Sequence, residues 1–165
     1  MIFKDFLAFS FNKSIFENIN IQTVSSLPCA DNMAYVIDYT GGGVCVSDGK
    51  NAYVLAASAS IEKELKKLFE CKNLISSDLK NDIINLPHIG ELNNVTDDVS
   101  IAAYLAEPSR SDYSIEKLCA HYFKTEIVAP NASQLSLFDA EEEDKTEYMA
   151  KCAVAVFCLR DHLAN

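Results

Sequence analysis

The chain has 165 residues, with 14 basic and 24 acidic side chains for a formal net charge of -10, 49% apolar residues, six Cys and no Trp. That length and apolar fraction suit one compact domain with its own core and exclude an intrinsically disordered chain. No window reaches the ~18 uninterrupted apolar residues of a membrane span, and the opening run MIFKDFLAFSFNKSIF is broken by Lys4, Asp5 and Lys13, so it lacks the apolar stretch of a secretory signal; the expectation is a cytosolic protein.

Residues 1 to 32 read as a short helix and linker, because Phe3, Phe6 and Leu7 make one apolar turn before a mixed stretch ending in Ser25, Ser26 and Pro28. From Met33 the pattern changes to β-prone runs at 34 to 39, 43 to 49 and 51 to 57, which read as three strands. Gly41, Gly42 and Gly43 turn the first into the second, and Asp48-Gly49 is a two-residue hairpin signal between the second and third. Ile61, Leu65, Leu68 and Phe69 then recur with helical spacing, the charged residues taking the other face.

The short apolar run at 73 to 77 reads as a buried strand, followed by a helix capped by Asp78 and stopped by Pro87. A strand near Val95 leads into a helix ending before Pro108, and Ser111 or Asp112 opens another through Phe123. A last helix from Lys145 to Leu163 is apolar on most of its circumference and must lie against the core. The order β-β-β-α-β-α-β-α-α-α indicates a mixed sheet with helices on its faces.

Charge and cysteine placement exclude several functions. The stretch from Asp139 to Glu147 holds six acids against Lys145 and supplies half of the net negative charge; it reads as part of an exposed acidic loop at about 129 to 146. The remainder has no basic stripe, which argues against strong autonomous binding to DNA, where Lys and Arg must displace counterions. Cys29, Cys45, Cys71, Cys119, Cys152 and Cys158 form no CxxC pair, and His88, His121 and His162 stand far apart, so no zinc site is expected. In a reducing compartment these thiols are assigned to packing. Gly43 to Gly49 with Lys50 and Asn51 misses the phosphate-loop spacing, and no GxSxG or HExxH is present.

One set of phrases does resemble a family. CKNLISSDLKNDIINL followed by VTDDVSIAAYLAEPSRSDYSIEKLCAHYF, within residues 33 to 163, is similar to the proofreading 3′–5′ exonuclease domain in the middle of bacterial DNA polymerase I, a ribonuclease H-like α/β fold with a mixed β-sheet flanked by α-helices. FKDFL similarly resembles the element that closes the linker before that domain. The resemblance implies four carboxylates holding two divalent ions: an Asp-x-Glu on the first strand, an Asp on the helix after the fourth, and a Tyr-x-x-x-Asp on the last helix.

Set against that pattern, Asp38 is kept but Thr40 stands at the Glu position, Asp82 is kept, and Tyr148 is followed by Cys152 at the Asp position. A hydroxyl and an unionised thiol do not replace carboxylates for Mg²⁺, which needs hard anionic oxygens. The expectation is a degenerate site with no metal cofactor, Asp38 and Asp82 serving as hydrogen-bonded structural residues. The alternative is an active two-metal exonuclease using Mg²⁺ or Mn²⁺, with Asp78, Asp97 or Asp98 as substitute ligands.

A second resemblance is shorter. Gln134-Leu135-Ser136-Leu137-Phe138 is similar to the pentapeptide by which bacterial polymerases and repair proteins dock on the sliding clamp, with Leu137 and Phe138 as apolar anchors and Gln134 at the pocket rim. The competing reading is that Leu135, Leu137 and Phe138 plug against the domain itself. The partners implied are the polymerase domain of the same chain, the sliding clamp, and DNA through the parent polymerase in the nucleoid-associated cytoplasm, with no membrane.

Overall fold

Six strands and five helices account for the described residues, which in the computed structural model are 16–58, 60–130 and 138–164, with side chains described throughout except at 138–143. The strands are β1 (Asn20–Thr23), β2 (Ala34–Ile37), β3 (Val44–Ser47), β4 (Asn51–Leu55), β5 (Leu74–Ser76) and β6 (Val95–Asp98). The helices are α1 (Ile61–Leu68), α2 (Leu79–Asn85), α3 (Val99–Ala106), α4 (Ile115–Tyr122) and α5 (Phe138–Leu163). They form one mixed sheet in the order β1-β4-β3-β2-β5-β6. The β2-β3-β4 pairs are antiparallel, and β1 on β4, β5 on β2 and β6 on β5 are parallel.

Strand alternation sorts the core into two layers. Tyr35, Val44, Val46, Leu55 and Leu74 point to one face, where Leu65 and Leu68 of α1 cover them and Leu79 and Leu86 pack from α2 and its end. Ala34, Cys45, Val54 and Ile75 point to the other face, covered by α5. Ala150, Ala153 and Ala155 are fully buried on α5; their small side chains let its backbone approach the sheet, and α3 and α4 pack against it in the cluster that also holds Ala34 and Ile75. Among the described residues no helix is long and apolar enough to cross a membrane.

Four local expectations need correction. The segment read as linker carries β1, an edge strand whose four side chains are all exposed; backbone pairing from Asn20↔Asn51 to Thr23↔Val54, not an apolar period, holds it there. Helix α5 starts at Phe138 and takes in the acidic run expected as loop to residue 146, since Glu and Ala are good helix formers. Cys29 and Cys71 are joined by a disulfide rather than serving only as packing. Glu64, expected on the polar face of α1, is 8% exposed and accepts from Ser26 Oγ at 2.9 Å and Leu27 N at 2.8 Å.

The last two corrections share a cause. Leu27 is buried in the α1 core, and the chain on either side of it is strapped to α1 by Glu64, by Lys67 Nζ donating to Leu27 O at 2.9 Å, and by the disulfide. The helix expected around Phe3, Phe6 and Leu7 lies outside the described residues.

Candidate functional site

The β2–β3 turn places Asp38. Its Oδ1 accepts from Thr40 N at 2.9 Å, Thr40 Oγ1 at 2.7 Å and Gly41 N at 2.9 Å. The backbone closes around it, Gly42 N donating to Asp38 O at 2.8 Å with Gly42 at φ +78°, a conformation that favours glycine. The glycine run therefore turns the chain as expected. Thr40 is exposed, and its hydroxyl is spent on Asp38.

The other Asp38 oxygen meets a cation. Lys145 Nζ on α5 lies 2.5 Å from Oδ2. Burial by itself would raise the Asp38 pKa; the Lys145 ammonium, followed by the Gly41 and Thr40 donors, overcomes that and holds the carboxyl well below the usual range. Gly41 makes room for this contact, since a Cβ there would collide with both the Lys145 ammonium and Asp38 Oδ2.

Tyr39 turns towards the opposite helix layer, where Asp82 is buried at 5% exposure on α2. Asp82 Oδ2 accepts from Tyr35 Oη and Ser76 Oγ, both at 2.6 Å, and Oδ1 accepts from Tyr39 Oη at 2.5 Å. Burial, with the Asp82 carboxylate next for Tyr35, pushes both tyrosines far above their ordinary value. The two retained acids are thus engaged by different partners in different layers, Asp38 by α5 and Asp82 by hydroxyls on the α1–α2 side.

The remaining positions lie on α5. Tyr148 Oη donates to Glu116 Oε1 on α4. Cys152 is 2% exposed in the cluster that holds Ala34, Ile75, Val156 and Leu159. Burial, then the Glu116 carboxylate, raises its thiol to about 12, so it is unionised at neutral pH. Sequence reading missed Lys145, Tyr35, Tyr39, Ser76 and Glu116. Lys145 alone left a trace, three and seven residues before Tyr148 and Cys152 on one helical face.

The acids considered as substitute ligands have other work. Asp78 caps α2 by accepting from Asn81 N at 3.1 Å. Asp98 caps α3 through Ile101 N at 3.0 Å and accepts from Leu79 N at 2.8 Å. Asp97 accepts from Thr96 Oγ1 at 2.8 Å and faces Arg160 at 4.0 Å. Among the described residues no group of three or more His, Cys, Asp or Glu side chains converges to hold a metal. This donor set does not fit a pair of hard cations, which needs several free anionic oxygens around one point.

A cavity of about 600 Å³ opens beside these residues, lined by Ser77, Asp78, Ser100, Tyr104, Tyr113 and Glu116 among others, with no basic side chain in its described lining. Its two carboxylates repel a phosphodiester unless a cation intervenes. Of the pentapeptide, Gln134, Leu135, Ser136 and Leu137 lie outside the described residues, and Phe138 opens α5 with its side chain undescribed.

Comparison with known proteins agrees with this architecture. Two structures of NrnC from Brucella melitensis share the fold: one with bound Mg²⁺ at 18% identity and a TM-score of 0.62, the other at 17% and 0.60, each covering 89% of this chain and 79% of NrnC. They place the mixed sheet and its helices among ribonuclease H-like folds. No curated protein matches by sequence. The family model described as 3′-5′ exonuclease matches residues 26–165, from the strap on α1 through the end of α5, and the chain belongs to the 3′–5′ exonuclease family.

Proposed function

We propose that this domain belongs to a bacterial DNA polymerase I, no longer assembles the two-metal centre of its family, and serves as a spacer that holds neighbouring parts of the polymerase. The observation that carries the inactive reading is the donor set: a hydroxyl at Thr40, a buried unionised thiol at Cys152, and Asp82 occupied by three hydroxyl donors. Two-metal hydrolysis relies on anionic oxygens that offset the dehydration of both ions. The polymerase setting rests on the phrases DLKND and DDVSIAAYLAEP. A labelled primer–template incubated with the domain and Mg²⁺ or Mn²⁺ is expected to keep its 3′ end.

The second reading is an active two-metal 3′–5′ exonuclease, standing alone as a nuclease. The family match, and the Mg²⁺ bound to NrnC in one structure, support it more directly than they support a polymerase setting. It requires Asp38 to leave Lys145 and acids such as Asp78, Asp97 or Asp98 to leave the contacts described above. Shortening of the primer that disappears in Asp38→Asn establishes this reading and ends the first.

A tethering role is compatible with either. Residues Gln134 to Phe138 dock on the bacterial sliding clamp, raising the local concentration of the parent enzyme at DNA; the support is the pentapeptide sequence itself. Binding to the clamp by fluorescence anisotropy is expected for the chain and lost in Phe138→Ala, and equal binding by both removes the role.

A further inference from the structure

We propose that Lys145 is a built-in counter-cation whose ammonium occupies the cation position beside Asp38 and thereby excludes divalent ions from the Asp38 turn. The inference rests on the reading that the two-metal centre is not assembled, and explains what stands in its place.

Three observations converge. The ammonium lies 2.5 Å from Asp38 Oδ2 as an ion pair, while Oδ1 accepts from the Thr40 and Gly41 donors, so each carboxylate oxygen faces a positively polarised group of the protein. Gly41 leaves open the space beside the ammonium that a Cβ would enter. Lys145 also lies on the same face of α5 as Tyr148 and Cys152, the positions the sequence resemblance assigns to the last metal-binding motif, so this helix delivers a cation beside Asp38. A single ammonium matches the charge of one carboxylate. It needs no octahedral shell, and its stem supplies the tether that a free ion lacks.

A competing ion therefore has to displace Lys145 and also find a second carboxylate. That defines the test, with Thr40→Glu restoring a carboxylate at the missing position. Four versions of the 165-residue chain are compared: unchanged, Lys145→Gln, Thr40→Glu, and both substitutions together. Mn²⁺ affinity is read by electron paramagnetic resonance, and near-ultraviolet circular dichroism verifies folding. The double variant is expected to bind Mn²⁺ at least tenfold more tightly than Thr40→Glu alone, because the new carboxylate otherwise shares Lys145. Equal affinities in those two proteins overturn the proposal.

Melting of the unchanged domain and of Lys145→Gln gives a second measurement that needs no restored ligand. The substitution is expected to lower the melting temperature at low salt, with the gap closing at high salt; coincident melting curves at low salt also overturn it. The primer assay separates this inference from the one beneath it. Exonuclease activity in the unchanged chain removes the inactive reading, whereas the Mn²⁺ ratio judges Lys145 regardless.

Discussion

The turn at Asp38 and the pocket around Asp82 solve one problem in two ways. Each holds a carboxylate at a position where the sequence resemblance expects a metal ligand, and each engages that carboxylate with groups of this chain. At the rim, where Lys145 and Asp38 are 40% and 17% exposed, a full opposite charge is used, since water screens what remains. In the interior three neutral hydroxyls converge on Asp82, distributing the work over dipoles that need no buried cation. Interior solutions of this kind are costly to break, because each orphaned partner stays out of water; rim solutions are cheap to break, because water re-enters.

The largest effect should follow Asp82→Ala. It strips the acceptor from Tyr35, Tyr39 and Ser76 together, and about 3–5 kcal/mol of stability should be lost in urea denaturation. A loss below about 1 kcal/mol would mean that the hydroxyls find other partners and that the contrast between the two regions is false. Tyr35→Phe removes one donor and leaves two, and should destabilise by about 1–1.5 kcal/mol in the same measurement.

Alkali sharpens the comparison next. The folded-state values of Tyr35 and Tyr39 are raised, so their contribution is complete below the ordinary tyrosine value of about 10 and is lost as pH rises beyond it. Melting temperature should fall above that pH, and less steeply when both residues are Phe. The smallest effect belongs to the rim: Asp38→Asn should cost about 0.5–1 kcal/mol at low salt, discounted for exposure, and less in high salt. Because the Asp38 value is lowered, that contribution is present above the ordinary Asp value of about 4 and disappears as pH falls below it. The acid limb of the stability profile should therefore flatten in Asp38→Asn.

Much of this architecture is legible in the chain because periodicity survives where one face is buried. The alternation of Tyr35, Val44, Val46 and Leu55 against Ala34, Cys45 and Val54 can be read from residue order alone, as can the cap at Asp78 and the stop at Pro108. Strand β1 leaves no such trace: NIQT is exposed along its length and is placed by backbone bonds to β4. The start of α5 is hidden for a related reason, since a run of acids looks the same in a solvated helix as in a loop. At the site, motif spacing locates Asp38, Asp82, Tyr148 and Cys152, but it carries no information on partners from distant elements. Lys145 is 107 positions from Asp38 and Tyr35 is 47 from Asp82, and only folding reveals that they meet. Cys29 and Cys71, 42 residues apart, are concealed in the same way.

The missing side chain at Gly41 reaches beyond local geometry. With the ammonium seated against that backbone, any side chain at Gly41 requires the ends of Lys145 and Asp38 to shift, while loss of Lys145 removes the ion pair to Asp38 Oδ2. Substitutions at Gly41 and at Lys145 therefore act on one and the same ion pair, and their effects on stability should fall short of additive.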